Sequence, residues 1–108
     1  MLRASAHHHH EDINLLGVGR PNVDVGLPGS RVLSALVEAT VLRDGDEIER
    51  VRTQAIEVLG SGATARAVQV TGNFEMMNRL LDAVGVDPPD GMLAIGDAIG
   101  VPLPERLR

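Results

Sequence analysis

Along residues 63–84 apolar side chains recur in alternating steps of four and three: Ala63, Ala67, Val70, Phe74, Met77, Leu81 and Val84. That spacing is the heptad seam of a helix packed lengthwise against another helix. Met76, Leu80 and Ala83 add a second apolar strip on another face, so the pattern predicts a helix from about Ala63 to Val84 covered on two sides. Gly72 lies in its middle and costs roughly 1 kcal/mol relative to alanine. Such a residue admits another backbone at close range, or marks a kink.

The segment Glu47 to Leu59 carries Ile48, Val51, Ala55, Val58 and Leu59 on one face, with Asp46, Glu47 and Glu49 in the first turn. The helix dipole favours negative charge there, so an amphipathic surface helix is expected. Asp44-Gly45 could instead turn a β-hairpin. The three-residue step from Ile48 to Val51 argues against that, because a strand would send the two to opposite faces. From Val32 to Leu42 eight of eleven positions are apolar, which predicts a helix over Arg31 to Leu42 buried on most sides. Its β-branched residues leave a strand as the alternative.

Leu16-Gly17-Val18, Val84-Gly85-Val86 and Ile99-Gly100-Val101 each place glycine between apolar residues, with proline shortly after. Glycine takes the left-handed conformation past a helix end, and proline prevents resumption. Leu59-Gly60 is a fourth stop of the same kind. These stops set two further helices, His7 to Leu16 and Met92 to Ile99. The expected architecture is therefore an all-α bundle of about five helices, spanning residues 1–108 as one domain.

Composition narrows what such a bundle does. The chain has no cysteine, which removes thiol, disulfide and thiolate–metal chemistry. Net charge is -5 and the ten basic residues, all arginine, are scattered, so no stripe exists to neutralise a row of phosphates and nucleic acid is not an expected partner. Phe74 is the only aromatic residue, which leaves no stacking platform for bases. No apolar run approaches the ~20 residues of a membrane span, and no secretory signal is apparent, so a soluble cytoplasmic protein is expected.

The run His7-His8-His9-His10 is a poor metal site. Adjacent helical residues point about 100° apart, so only a pair such as His7 and His10 shares a face, and no carboxylate falls between them. A tag remnant or a solvated first turn accounts for it equally well.

The stretch from Asn73 to Val86 resembles the C-terminal helix of the carboxymuconolactone decarboxylase and alkylhydroperoxidase-D-like superfamily. There a Phe-Asn-x-x-Asn-Arg-like motif runs into Leu-Gly-Val. Phe74, Asn78, Arg79 and Gly85 match it, while Glu75 stands where the family often has asparagine. The resemblance covers roughly Ser30 to Pro88. It implies the family's helical fold, an assembly of several copies, and a pocket lined by Phe74 and Asn78 that could take a small-molecule ligand.

In the peroxidase branch a Cys-x-x-Cys-x-x-x-His pattern lies on an earlier helix, its histidine eight residues before the closing glycine. His9 stands eight residues before Gly17, which puts Ser5 and Leu2 at the two thiol positions. The branch's upstream glutamate would precede Met1. Peroxidatic chemistry is then out of reach, because an unactivated serine does not replace a thiolate. A histidine alone could still serve as general acid or base, which makes His9 the one catalytic candidate. The resemblance implies no cofactor. The expected function is thus a divergent, non-redox, homo-oligomeric binding or structural domain. Its rivals are a cofactor-free, His9-dependent decarboxylase or lactone-processing enzyme, and a helical protein-interaction module. Arg79 is expected to pair with Glu75 or Asp82 along its own helix.

Overall fold

A computed structural model describes residues 7–9, 12–18, 20, 22–101 and 105. Among these residues there are four α-helices and no strand: α1 (Ser30–Leu42), α2 (Gly45–Leu59), α3 (Ser61–Val84) and α4 (Met92–Ile99). The all-α class holds. The alternatives of a strand at 32–42 and a hairpin at Asp44-Gly45 fall away, because both segments are helical.

Helices α1 and α2 form a hairpin around the buried core. Leu36 and Ala39 of α1 meet Val51 and Ala55 of α2, with Val32, Ala35 and Ile48 packed around them. The spacings of three and four place each pair on one face of its helix. The connection is only Arg43 and Asp44. Arg43 takes a left-handed conformation at φ 59° and donates its backbone N–H to Ala39 and Thr40 oxygens, while the Asp44 N–H reaches back to Ala39 O. Asp44 then caps α2, its carboxylate accepting from the Glu47 N–H at 3.1 Å. Arg50 donates back to Glu47, Nε to Oε2 at 2.8 Å. This pair holds the Glu47 carboxyl below its ordinary value.

Helix α3 lies across both partners but only with its first half. Thr64 and Thr71, one heptad apart, are its buried residues. Each hydroxyl donates to the carbonyl four residues back, Thr64 to Gly60 at 2.9 Å and Thr71 to Ala67 at 2.9 Å. The polar atoms are thereby satisfied inside the helix, and the methyl groups are left to pack. At the far end Gly85 adopts φ 70° with its N–H on Leu81 and Asp82 oxygens, and Val86 N–H bonds Leu81 O at 3.0 Å. Gly100 and Val101 repeat this closure at the end of α4. These two stops act as the sequence predicts; Gly60 also ends α2, but at φ 85° and ψ 161°, outside the left-handed helical conformation.

The first expected helix does not form over its length. Residues 12–14 are not helical, Asn14 being extended, and a single 3-10 turn follows at Leu15–Gly17, with Asn14 as its cap, Oδ1 accepting from the Leu16 N–H. Asn14 N–H donates to Val25 O at 2.8 Å, so the backbone pairs with the glycine- and proline-rich segment after it instead of with itself. Gly17 is not a left-handed stop. It is buried because a Cβ there would sit 2.7 Å from Val25 Cγ2 and 2.8 Å from Val23 O. Farther along, Arg20 Nη2 donates to Gly100 O at 3.3 Å and ties this segment to the end of α4.

The molecule is drawn out. Its radius of gyration is 15.2 Å and its extents are 41 × 33 × 24 Å, against about 13 Å expected for a compact domain near this length.

Candidate functional site

The second half of α3 stands open to solvent. From Gly72 to Gly91 every residue except Glu75 is exposed. At 24 residues α3 is about 36 Å long, and only its first turns are backed by α1 and α2.

The stripe that faces the hairpin runs through Thr64 and Thr71, with half-buried Ala67 at its edge toward the groove, and continues at the same helical register as Glu75, Asn78 and Asp82. Beyond the bundle that stripe turns polar, as a water-facing surface should. Glu75 is joined there to Arg79 at 3.5 Å, one of the two pairings expected for that arginine. The apolar arc lies elsewhere. Val70, Phe74, Met77, Leu81 and Val84 centre on a line about 110° round the helix from the bundle-facing stripe, at 100° per residue, and Met76 and Leu80 widen it. All seven are exposed, Phe74 at 55% and Val84 at 71%. The arc is therefore not an extension of the internal core.

Toward the start of α3 the arc runs into an open groove of about 540 Å³, lined by Leu33 of α1, Leu59 of α2 and Gly62, Ala63, Arg66, Ala67 and Val70. Its floor on α3 is made of the smallest side chains in the seam. No metal-holding cluster of His, Asp or Glu occurs among the described residues, and no helix there is long and apolar enough to cross a membrane.

The sequence-derived candidates are placed as follows. His9 is exposed in a turn after His7 and His8, its ring edge-on to His8 at 5.1 Å between centroids. Asn78 is exposed on the polar stripe of α3, and Phe74 on the apolar arc beside it. Among the described residues no hydrogen bond, ion pair or ring contact joins His9 to Phe74 or Asn78. Leu2 and Ser5 lie outside the described residues. The groove itself was hidden in the sequence. Leu33 and Leu59 come from different helices, and the one local signal is the cluster of small residues Gly62, Ala63 and Ala67 at the start of the seam.

Gly72 has no heavy atom within 4 Å of where its Cβ would stand. Within the chain it brings no second backbone close. The sequence matches no protein family model, and no curated protein or solved structure shows significant similarity to it.

Proposed function

We propose that this chain is a non-catalytic, homo-oligomeric helical association domain whose docking surface is the apolar arc of α3. One observation carries the reading: α3 runs past its own bundle for half its length, and there its apolar side chains are exposed while its bundle-facing stripe has become polar. An apolar surface of several hundred Å² on a water-soluble chain marks a contact with another molecule. Each of these side chains gains on the order of 1.5–3 kcal/mol on full burial, and the four-residue core of the hairpin leaves the isolated chain little other stabilisation.

In this reading the chain is a divergent relative of the carboxymuconolactone decarboxylase and alkylhydroperoxidase-D-like superfamily that keeps its habit of assembly and not its redox chemistry. The motif of Phe74, Asn78, Arg79 and Gly85 supports that kinship, and the docking argument stands without it. No observation favours the enzyme reading: His9 is exposed, and among the described residues its ring contact is with His8 and not with Phe74 or Asn78.

Light scattering coupled to size exclusion tests the proposal. At micromolar concentration the mass should be a multiple of 11.5 kDa. Leu81→Glu, which places a charge in the arc, should weaken assembly by at least ~100-fold while leaving the helical signal intact. A wild-type monomer at every concentration would overturn it.

A further inference from the structure

The seam of α3 is graded by size. Its first half is small, with Gly60 before the helix and then Ala63 and Ala67, and its second half is large, with Phe74, Met77, Leu81 and Val84. Val70 stands between them. The groove lies beside the small half and the unsupported projection carries the large half. A partner that fills the groove must bring large side chains at heptad spacing. A partner that covers the projection must bring small ones. The chain itself has both, in opposite order along one helix.

We infer that α3 pairs with α3 of a second copy in antiparallel orientation, the large half of each filling the groove of the other. This rests on the reading of α3 as a docking surface. In antiparallel pairs each layer of the seam joins positions of the two different heptad classes. One register matches small with large in three layers, Gly60 with Val84, Ala63 with Leu81 and Ala67 with Met77, and sets intermediate Val70 against Phe74 in the fourth. The two-fold axis passes near Gly72, the arrangement is self-complementary as a two-fold interface must be, and the overlap uses the full length of α3.

Parallel pairing fails the same comparison. It sets Ala63 on Ala63 and Ala67 on Ala67, so the groove of about 540 Å³ stays unfilled on both copies, and it crowds Phe74 on Phe74. The area is also of the needed order. With about half of each side chain open, Val70, Phe74, Met77, Leu80, Leu81 and Val84 offer on the order of 500 Å² per copy. The groove walls, Leu33 and Leu59 included, add to this and bring the total toward the ~800 Å² per partner of an ordinary stable interface.

The chain has no native thiol, so introduced cysteines report register cleanly. Ala67→Cys and Met77→Cys are made in separate full-length chains, one carrying a mass label, then mixed, equilibrated and treated with a mild oxidant. Two facing thiols lose two protons and two electrons to the oxidant and form one disulfide. This requires Cα atoms within about 7 Å. The expected result is a cross-linked heterodimer in the mixture at least ~10-fold more abundant than homodimer in either variant alone. In the antiparallel register the two copies of position 67 stand ten residues apart along the axis, about 15 Å. Arg79→Cys, on the outer side of the helix, measures collisional background. Ala63→Cys mixed with Leu81→Cys reports the same register should the first pair perturb folding.

Homodimer cross-links from Ala67→Cys or Met77→Cys alone, with no excess in the mixture, overturn the antiparallel register. So does association of the wild-type chain combined with cross-linking of the Ala67→Cys and Met77→Cys mixture no greater than the Arg79→Cys background. Both outcomes leave α3 standing as a docking surface. A wild-type chain that is monomeric by light scattering overturns the docking reading as well.

Discussion

Replacing Gly72 with alanine should stabilise this protein, and the size of the effect follows from its surroundings. Gly72 is in the interior of α3, exposed, with ordinary right-handed helical backbone and nothing within 4 Å of a Cβ. Alanine there loses no contact and creates no clash. It gains the helix propensity difference of about 0.8–1 kcal/mol, largely by restricting the unfolded chain. For a domain near 100 residues that corresponds to a rise in melting temperature of roughly 4–8 °C. Position 72 lies about 160° from the line of Val70, Phe74, Met77, Leu81 and Val84, so the added methyl group should not change the mass of the proposed assembly. Urea unfolding and thermal melts of wild type and Gly72→Ala at one fixed concentration measure the difference. A destabilised variant, or one with altered mass, would refute the reasoning, because it would mean that a backbone from another chain rests on this glycine.

Two further outcomes test the core and its charge pair. Leu36 is 1% exposed at the centre of the α1–α2 core, so Leu36→Ala should cost about 2–5 kcal/mol and broaden or abolish the cooperative thermal transition; a loss below about 1 kcal/mol would show that the hairpin is not the stabilising centre. Glu47 is held below its ordinary value by Arg50, so its contribution is present above the ordinary carboxylate range and is lost as pH falls through its lower folded value. The urea midpoints of wild type and Glu47→Gln should therefore converge on acidification and differ little in high salt, and divergence in acid would refute the assignment.

Three of the four helices were legible because each carries its own glycine stop, whereas α1 ends at left-handed Arg43, which no pattern announced. Val84-Gly85-Val86 and Ile99-Gly100-Val101 close by local backbone bonds, and Met92–Ile99 has the ends read from the sequence. Starts were read one to two residues late: Gly45 for Glu47, Ser61 for Ala63. Glycine and serine in a first turn carry no periodic signal. The failure at residues 12–17 has a different source. Leu16-Gly17-Val18 has the form of a stop, yet Gly17 answers to Val23 and Val25, which approach from later in the chain. Asn14 likewise prefers the Val25 carbonyl to a helical partner. Periodicity does not register such contacts.

The candidate site was half legible for the same reason. The heptad of α3 was plain, but the expected cover on two sides is not found within the chain, where residues 72–84 are exposed except Glu75. Which face the hairpin takes was not plain, because the buried residues Thr64 and Thr71 are polar by composition. They become acceptable core only when their hydroxyls turn back onto Gly60 and Ala67 carbonyls.

The two-residue link at Arg43 and Asp44 bears on how the chain acquires its shape. It joins α1 to α2 so closely that Ala39 and Val51, twelve positions apart, already meet in the core. Closing so short a loop takes well under a microsecond, and contacts local in sequence favour fast folding. The hairpin can therefore form before α3 is placed, and even before the rest of the chain has left the ribosome. Helix α3 then docks its threonine stripe on a surface that already exists. In the proposed assembly, capture of a second copy would then be the one step whose speed depends on how many copies are nearby.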